Sequence, residues 1–100
     1  MLNFDQQIAD RLAALGNIHR LAIIRTLVGA GMEGMPVGKV QEAVQIPNST
    51  LSHHISTLVN AGLVEQKRQG RTLYCTAQFR ALNDIMFYLR ENCSQSIDML

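Results

Sequence analysis

The chain has no tryptophan, and no apolar run in it approaches the roughly 20 residues that cross a bilayer. Its N-terminus, Met1-Leu2-Asn3-Phe4-Asp5, lacks the basic-then-apolar order of a secretion signal. The cytoplasm is therefore the expected compartment. Two cysteines, Cys75 and Cys93, are too few for a disulfide framework, and in a cytosolic chain reduced thiols are expected. Neither has a second Cys or a His at a metal-ligand spacing. No nucleophile motif, Gly-rich phosphate loop or clustered acid pair is present. The adjacent His53 and His54 would point about 100° apart on a helix, so they cannot act as a pair. No enzymatic activity, cofactor or metal is expected.

A large excess of one charge is also lacking, since the net charge is +1. Its distribution is more informative. Residues 1–47 carry four basic and four acidic side chains. Residues 48–77 carry Lys67, Arg68 and Arg71 against Glu65 alone, with His53 and His54 beside them. Any phosphate-facing surface should lie in that middle block.

One hundred residues make one domain, residues 1–100. So short a chain buries only about 60–65% of the surface its unfolded form exposes, which makes oligomerisation a common remedy. Residues 3–15 read as a helix with Ile8, Leu12 and Leu15 on one face. Gly16 ends it, and Asn17 can cap a second helix that stops at Gly29-Ala30-Gly31. After a loop over Met32 to Met35, Pro36 suits the first turn of a short third helix with Val37, Val40 and Val44 as its stripe. A fourth helix starts near Asn48 or Ser49 and ends at Ala61-Gly62. Leu63–Arg68 and Arg71–Ala77 read as strands joined at Gln69-Gly70. A last helix covers 78–93, and the final residues, from about 94, read as a frayed tail. The order is α-α-α-α-β-β-α: mainly helical with a small β-hairpin.

The fourth helix carries the functional signal. Leu51, Ile55, Leu58 and Val59 recur at helical spacing and form its inner stripe. The opposite face is Ser49, Ser52, His53, Ser56 and Asn60, small, polar and free of acid. Solvated helix faces usually carry Glu and Lys, which favour helix and solubility. Short hydroxyl side chains instead let a helix approach the major groove and bond to phosphates or base edges. The helix start, with Asn48, Ser49 and Thr50, also presents free N–H groups to anions. A short helix, a brief connection and this helix match a helix-turn-helix. The basic tip Lys67-Arg68-Gln69-Gly70-Arg71 then reads as a wing that reaches flanking phosphates or the minor groove. His54 fits either a partly buried hydrogen-bonded residue or a DNA contact.

The run Ser52-His53-His54-Ile55, with Leu58 and Ala61-Gly62-Leu63-Val64, followed by Arg68, Gly70, Arg71 and Tyr74, resembles the ArsR family of bacterial winged helix-turn-helix repressors. Leu21, Ile23, Ile24 and Leu27 resemble the family's second helix. The resemblance implies a homodimer that sits on an inverted-repeat operator in double-stranded DNA and leaves when an inducer binds. It implies DNA contacts from Ser49, Ser52, His53 and Ser56, with Arg68 and Arg71 in the wing. Positions where such proteins hold metal carry other residues here. Met35-Pro36-Val37-Gly38-Lys39-Val40 has no ligand, and Asp84 is followed by Met86 where a His would stand. Glu91-Asn92-Cys93-Ser94 keeps one thiol of a metalloid-capturing pair. Cys93 remains a candidate thiol sensor, with a small inducer or oxidant as its ligand. On the last helix, Phe79, Leu82, Met86, Leu89 and Cys93 repeat in a pairing pattern that Ile85 widens. A homodimer through the first and last helices is expected, with Ile8, Leu12, Phe79, Leu82, Met86 and Leu89 at its interface. The rival expectation is a winged-helix protein-interaction module that binds no DNA. Its support is the near-neutral net charge, and the acid-free recognition face speaks against it.

Overall fold

A computed structural model describes residues 2–91, with the backbone alone for Leu2. Helices α1 (Leu2–Leu15) and α2 (Ile18–Gly29) are followed by a 3-10 turn (Gly31–Glu33) and strand β1 (Met35–Pro36). Helices α3 (Val37–Val44) and α4 (Asn48–Asn60), strands β2 (Val64–Gln69) and β3 (Thr72–Ala77), and helix α5 (Phe79–Arg90) complete the order. The three antiparallel strands lie in the order β1-β3-β2.

The expected two-strand hairpin is thus a three-stranded sheet. Met35 pairs with Cys75 and Pro36 with Tyr74. Pro36 belongs to β1 and caps α3 from outside its first turn, with extended backbone at φ −60° and ψ 147°. Proline has no N–H to give a ladder, which suits a strand at the sheet edge. The hairpin turn also lies one residue later than expected. Gln69 pairs with Thr72, leaving Gly70-Arg71 as a two-residue loop. Gly70 alone takes positive φ there (+64°), as a glycine-first hairpin turn requires.

Local chemistry sets the helix boundaries. Asn17 Oδ1 accepts the amide N–H groups of His19 (2.9 Å) and Arg20 (3.1 Å), which caps α2. Between α3 and α4, Gln45 closes α3 in the left-handed region (φ 55°). Gln41 Nε2 donates to the Ile46 carbonyl at 3.0 Å, and Ile46 turns into the core. The chain then enters α4 through Pro47.

One core binds all elements. Ile23, Leu27, Val40, Leu58, Leu63 and Cys75 are fully enclosed at its centre. Ile8 belongs to this same core (2% exposed), so it cannot serve the intersubunit face assigned to it from periodicity. Ile85 is buried as well, and Phe79 and Leu82 pack half-buried against their own protomer's core. The apolar side chains left outside on α1 and α5 are Phe4, Leu12, Met86, Phe87 and Leu89. Cys93 lies outside the described residues. No helix among the described residues is long and apolar enough to cross a membrane.

Candidate nucleic-acid interface

Helix α4 presents two faces. Leu51, Ile55 and Leu58 are buried and Val59 is half-buried, as the periodicity predicts. Asn48, Ser49, Thr50, Ser52, His53, Ser56 and Asn60 are all exposed. The structure therefore brings every α4 residue singled out for DNA onto solvent, with no acidic side chain on the helix. No side chain caps its first turn, which leaves the leading N–H groups available to an anion.

His54 is the exception to this exposed face. It is 8% exposed, and its Nδ1 lies 3.2 Å from Arg20 Nη1. Burial, then the charges of Arg20, His19 and His53, push its pKa below the ordinary 6.5. Of the two roles open to His54 from the sequence, the structure selects the buried hydrogen-bonded one. Arg20 has its Nε donating to the Ala14 carbonyl at 2.6 Å, so it ties the end of α1 to the back of α4. A second arginine holds the other end of the helix. Arg11 Nε donates to the Ala61 carbonyl at 3.3 Å, and its Nη1 stands 3.8 Å from Asp84 Oδ2 on α5. No local pattern announced either arginine, because both partners lie far away along the chain.

The β2-β3 hairpin carries Lys67, Arg68 and Arg71, all exposed. Alternation along β2 separates the first two. Arg68 shares a face with Gln66, whose Nε2 donates to Cys75 Sγ at 3.5 Å. Lys67 shares the opposite face with Glu65, along a groove that Tyr74 and Arg80 also line. Cys75 is fully buried, and that burial raises its thiol pKa, so it is a packed side chain and not a reactive thiol. Among the described residues, no three His, Cys, Asp or Glu side chains converge as a metal site.

A family model described as a helix-turn-helix domain matches residues 15–67. The HTH-type transcriptional regulator YceK of Bacillus subtilis (strain 168) is 43% identical over 70 residues, which is 70% of this chain and 69% of that protein. The chain belongs to the helix-turn-helix family of transcriptional regulators.

Among solved structures, an ArsR-like transcriptional regulator from Rhodococcus sp. RHA1 superposes with a TM-score of 0.74 at 22% identity, over 94% of this chain and 85% of that one. The homodimeric winged helix-turn-helix DNA-binding domain of Mb0332 from Mycobacterium bovis gives 0.69 at 24% identity, over 90% and 82%. The fold is thus the ArsR-type winged helix-turn-helix. In this regulator, α3 and α4 form the helix-turn-helix and the β2-β3 hairpin forms the wing.

The wing of the regulator yields a direct prediction. Alanine at both Arg68 and Arg71 is expected to weaken binding to all duplexes and to flatten its salt dependence. Each lost phosphate contact lowers the slope of log K against log salt by about 0.9. Anisotropy titrations over a salt series that give the same slope for both proteins would make the tip a solvated turn.

Proposed function

We propose that this regulator is a homodimeric repressor that lays α4 of each protomer in the major groove of an inverted-repeat operator. Asn48, Ser49, Thr50, Ser52, His53 and Ser56 face the DNA, and Lys67, Arg68 and Arg71 hold its flanks. The observation that carries this reading is the exposed, acid-free Ser/His/Asn face of α4 followed directly by a basic hairpin. An interaction module would place acidic or apolar side chains on that face. Repression, and release by a small inducer or by oxidation of a thiol such as Cys93, follow from the family resemblance. The homodimeric state of Mb0332 and the apolar side chains left outside on α1 and α5 support the dimer.

Ser52 and His53 test the assignment. Each good base contact contributes about 1–3 kcal/mol of discrimination, so Ser52→Ala or His53→Ala should cost roughly five- to 150-fold in affinity for the operator. Binding to unrelated duplex should change much less, and circular dichroism should stay native. Operator affinity at the wild-type level in both variants would remove the recognition role from this face.

A further inference from the structure

All three histidines of the chain meet around α4. The His54 ring centroid lies 5.6 Å from that of His19 and 5.9 Å from that of His53. Only His54 is enclosed, and its Nδ1 faces the Arg20 guanidinium at 3.2 Å. Arginine stays protonated and offers donors only, so Nδ1 must be the acceptor and the imidazole must be neutral, with its proton on Nε2. Arg20 cannot retreat easily. Its Nε is committed to the Ala14 carbonyl at 2.6 Å, and its backbone N–H to Asn17 Oδ1 at 3.1 Å. One side chain therefore connects the end of α1, the start of α2 and the middle of α4, next to His53 on the exposed face.

A proton on Nδ1 would abolish that acceptor and put a buried cation against Arg20. The charged and titratable groups around His54 all have the wrong sign to relieve it: Arg20 and His19 from α2, and His53 from α4 itself. On α1, the Ala14 carbonyl is already taken by Arg20, and the carboxylate of Asp10 lines a groove with Arg20 that does not include His54 and accepts from Gln6 Nε2 at 2.9 Å. The relief available is for α4 to move away from α2.

We propose that Arg20 and His54 are positioning residues for DNA recognition: neutral His54 locks α4 in its groove-reading position, and a proton on Nδ1 unlocks it, so specific DNA binding falls on acidification. This rests on the DNA-binding reading of α4. The direction is consistent with linkage. Burial and the surrounding cations hold the His54 pKa below 6.5 in the folded chain, whereas the unfolded chain takes up the proton near 6.5. The stability that neutral His54 contributes is complete above that value and is lost as the pH falls toward the folded-state midpoint.

The test uses the full chain and a duplex that it selects from a random-sequence pool at about pH 8, where histidines are neutral. Affinity is followed down through the His54 midpoint, which imidazole NMR of the free protein locates. His54→Asn keeps an acceptor oxygen close to the Nδ1 position and cannot take up the proton. Wild type should lose at least about tenfold more affinity than this variant across the midpoint, the equivalent of one unit of pKa coupling. Arg20→Gln removes the neighbouring charge, so the His54 midpoint should rise and the binding midpoint should rise with it. A merely structural pair would not move the two together. Parallel pH profiles for wild type and H54N, or an R20Q midpoint that stays in place, overturn the inference while leaving DNA binding intact. A chain that selects no duplex at about pH 8 overturns the DNA-binding reading and the inference together. If H54N does not fold, the coupled shift in R20Q decides the matter.

Discussion

Gly34→Ala is expected to cost about 3 kcal/mol of stability, the combined effect of a left-handed backbone and a steric overlap. Gly34 has φ +71°. A Cβ placed there would overlap the Cys75 carbonyl oxygen and meet the Thr76 methyl at 3.1 Å. Neither is a flexible side-chain end. The oxygen belongs to β3, the central strand, at the residue that pairs with Met35 of β1. Relief would require β1 to leave the sheet, and with it the start of α3. For a domain of this size the urea midpoint should fall by roughly 2 M. Gly31 and Gly70 provide the control. Both have positive φ, but neither has an atom within 4 Å of an added Cβ. Alanine there should cost only the conformational term, about 1 kcal/mol. Equal urea midpoints for the three alanine variants would show that the close approach to Cys75 has no energetic consequence.

That contrast also shows which parts of the fold the sequence discloses. The inner stripe of α4 was legible because Leu51, Ile55 and Leu58 follow the period of one helix, and burial obeys that period directly. The exposed Ser/His face is legible as its complement. The Asn17 cap and the glycine of the wing turn were local signals too. Strand β1 was not legible. It is two residues long, one of them proline, and only its partner on β3 makes it a strand. His54 stayed open between two roles for the same reason: the Arg20 that decides it lies 34 residues earlier. The last helix shows a different limit. Periodicity marks which of its positions are apolar but not whether they meet their own core or a partner. Ile8 shares the apolar period, yet it is buried in its own core, and Phe79 and Leu82 pack half-buried against that core. Phe4 and Phe87, left outside, were not singled out.

This rotation of α5 sharpens the prediction for the dimer. Met86, Phe87 and Leu89 are 54%, 63% and 56% exposed, and Phe4 and Leu12 of α1 remain outside as well. Met86 and Phe87 line a shallow cleft with Asn83, Arg90 and Glu91. A patch of large apolar side chains on so small a protomer favours association. Two recognition helices must also be held about one DNA turn apart, near 34 Å, to read two half-sites. The double variant Met86→Glu/Leu89→Glu should therefore remain folded but monomeric. Desolvating unpaired carboxylates at the interface costs about 4 kcal/mol or more, roughly a thousandfold in dimer affinity. Operator affinity should collapse with it, because one half-site cannot replace two. Leu82→Glu should behave differently, since that carboxylate enters the protomer's own core and lowers the thermal midpoint directly. Sedimentation velocity with a parallel melting curve separates the cases. A double variant that sediments as a dimer, or a wild-type chain that is monomeric at micromolar concentration, would remove the α1/α5 surface from the assembly. If Leu82→Glu instead gave a stable, well-folded monomer, the last helix would be packed the other way round, with its 79-82-86-89 stripe toward the partner.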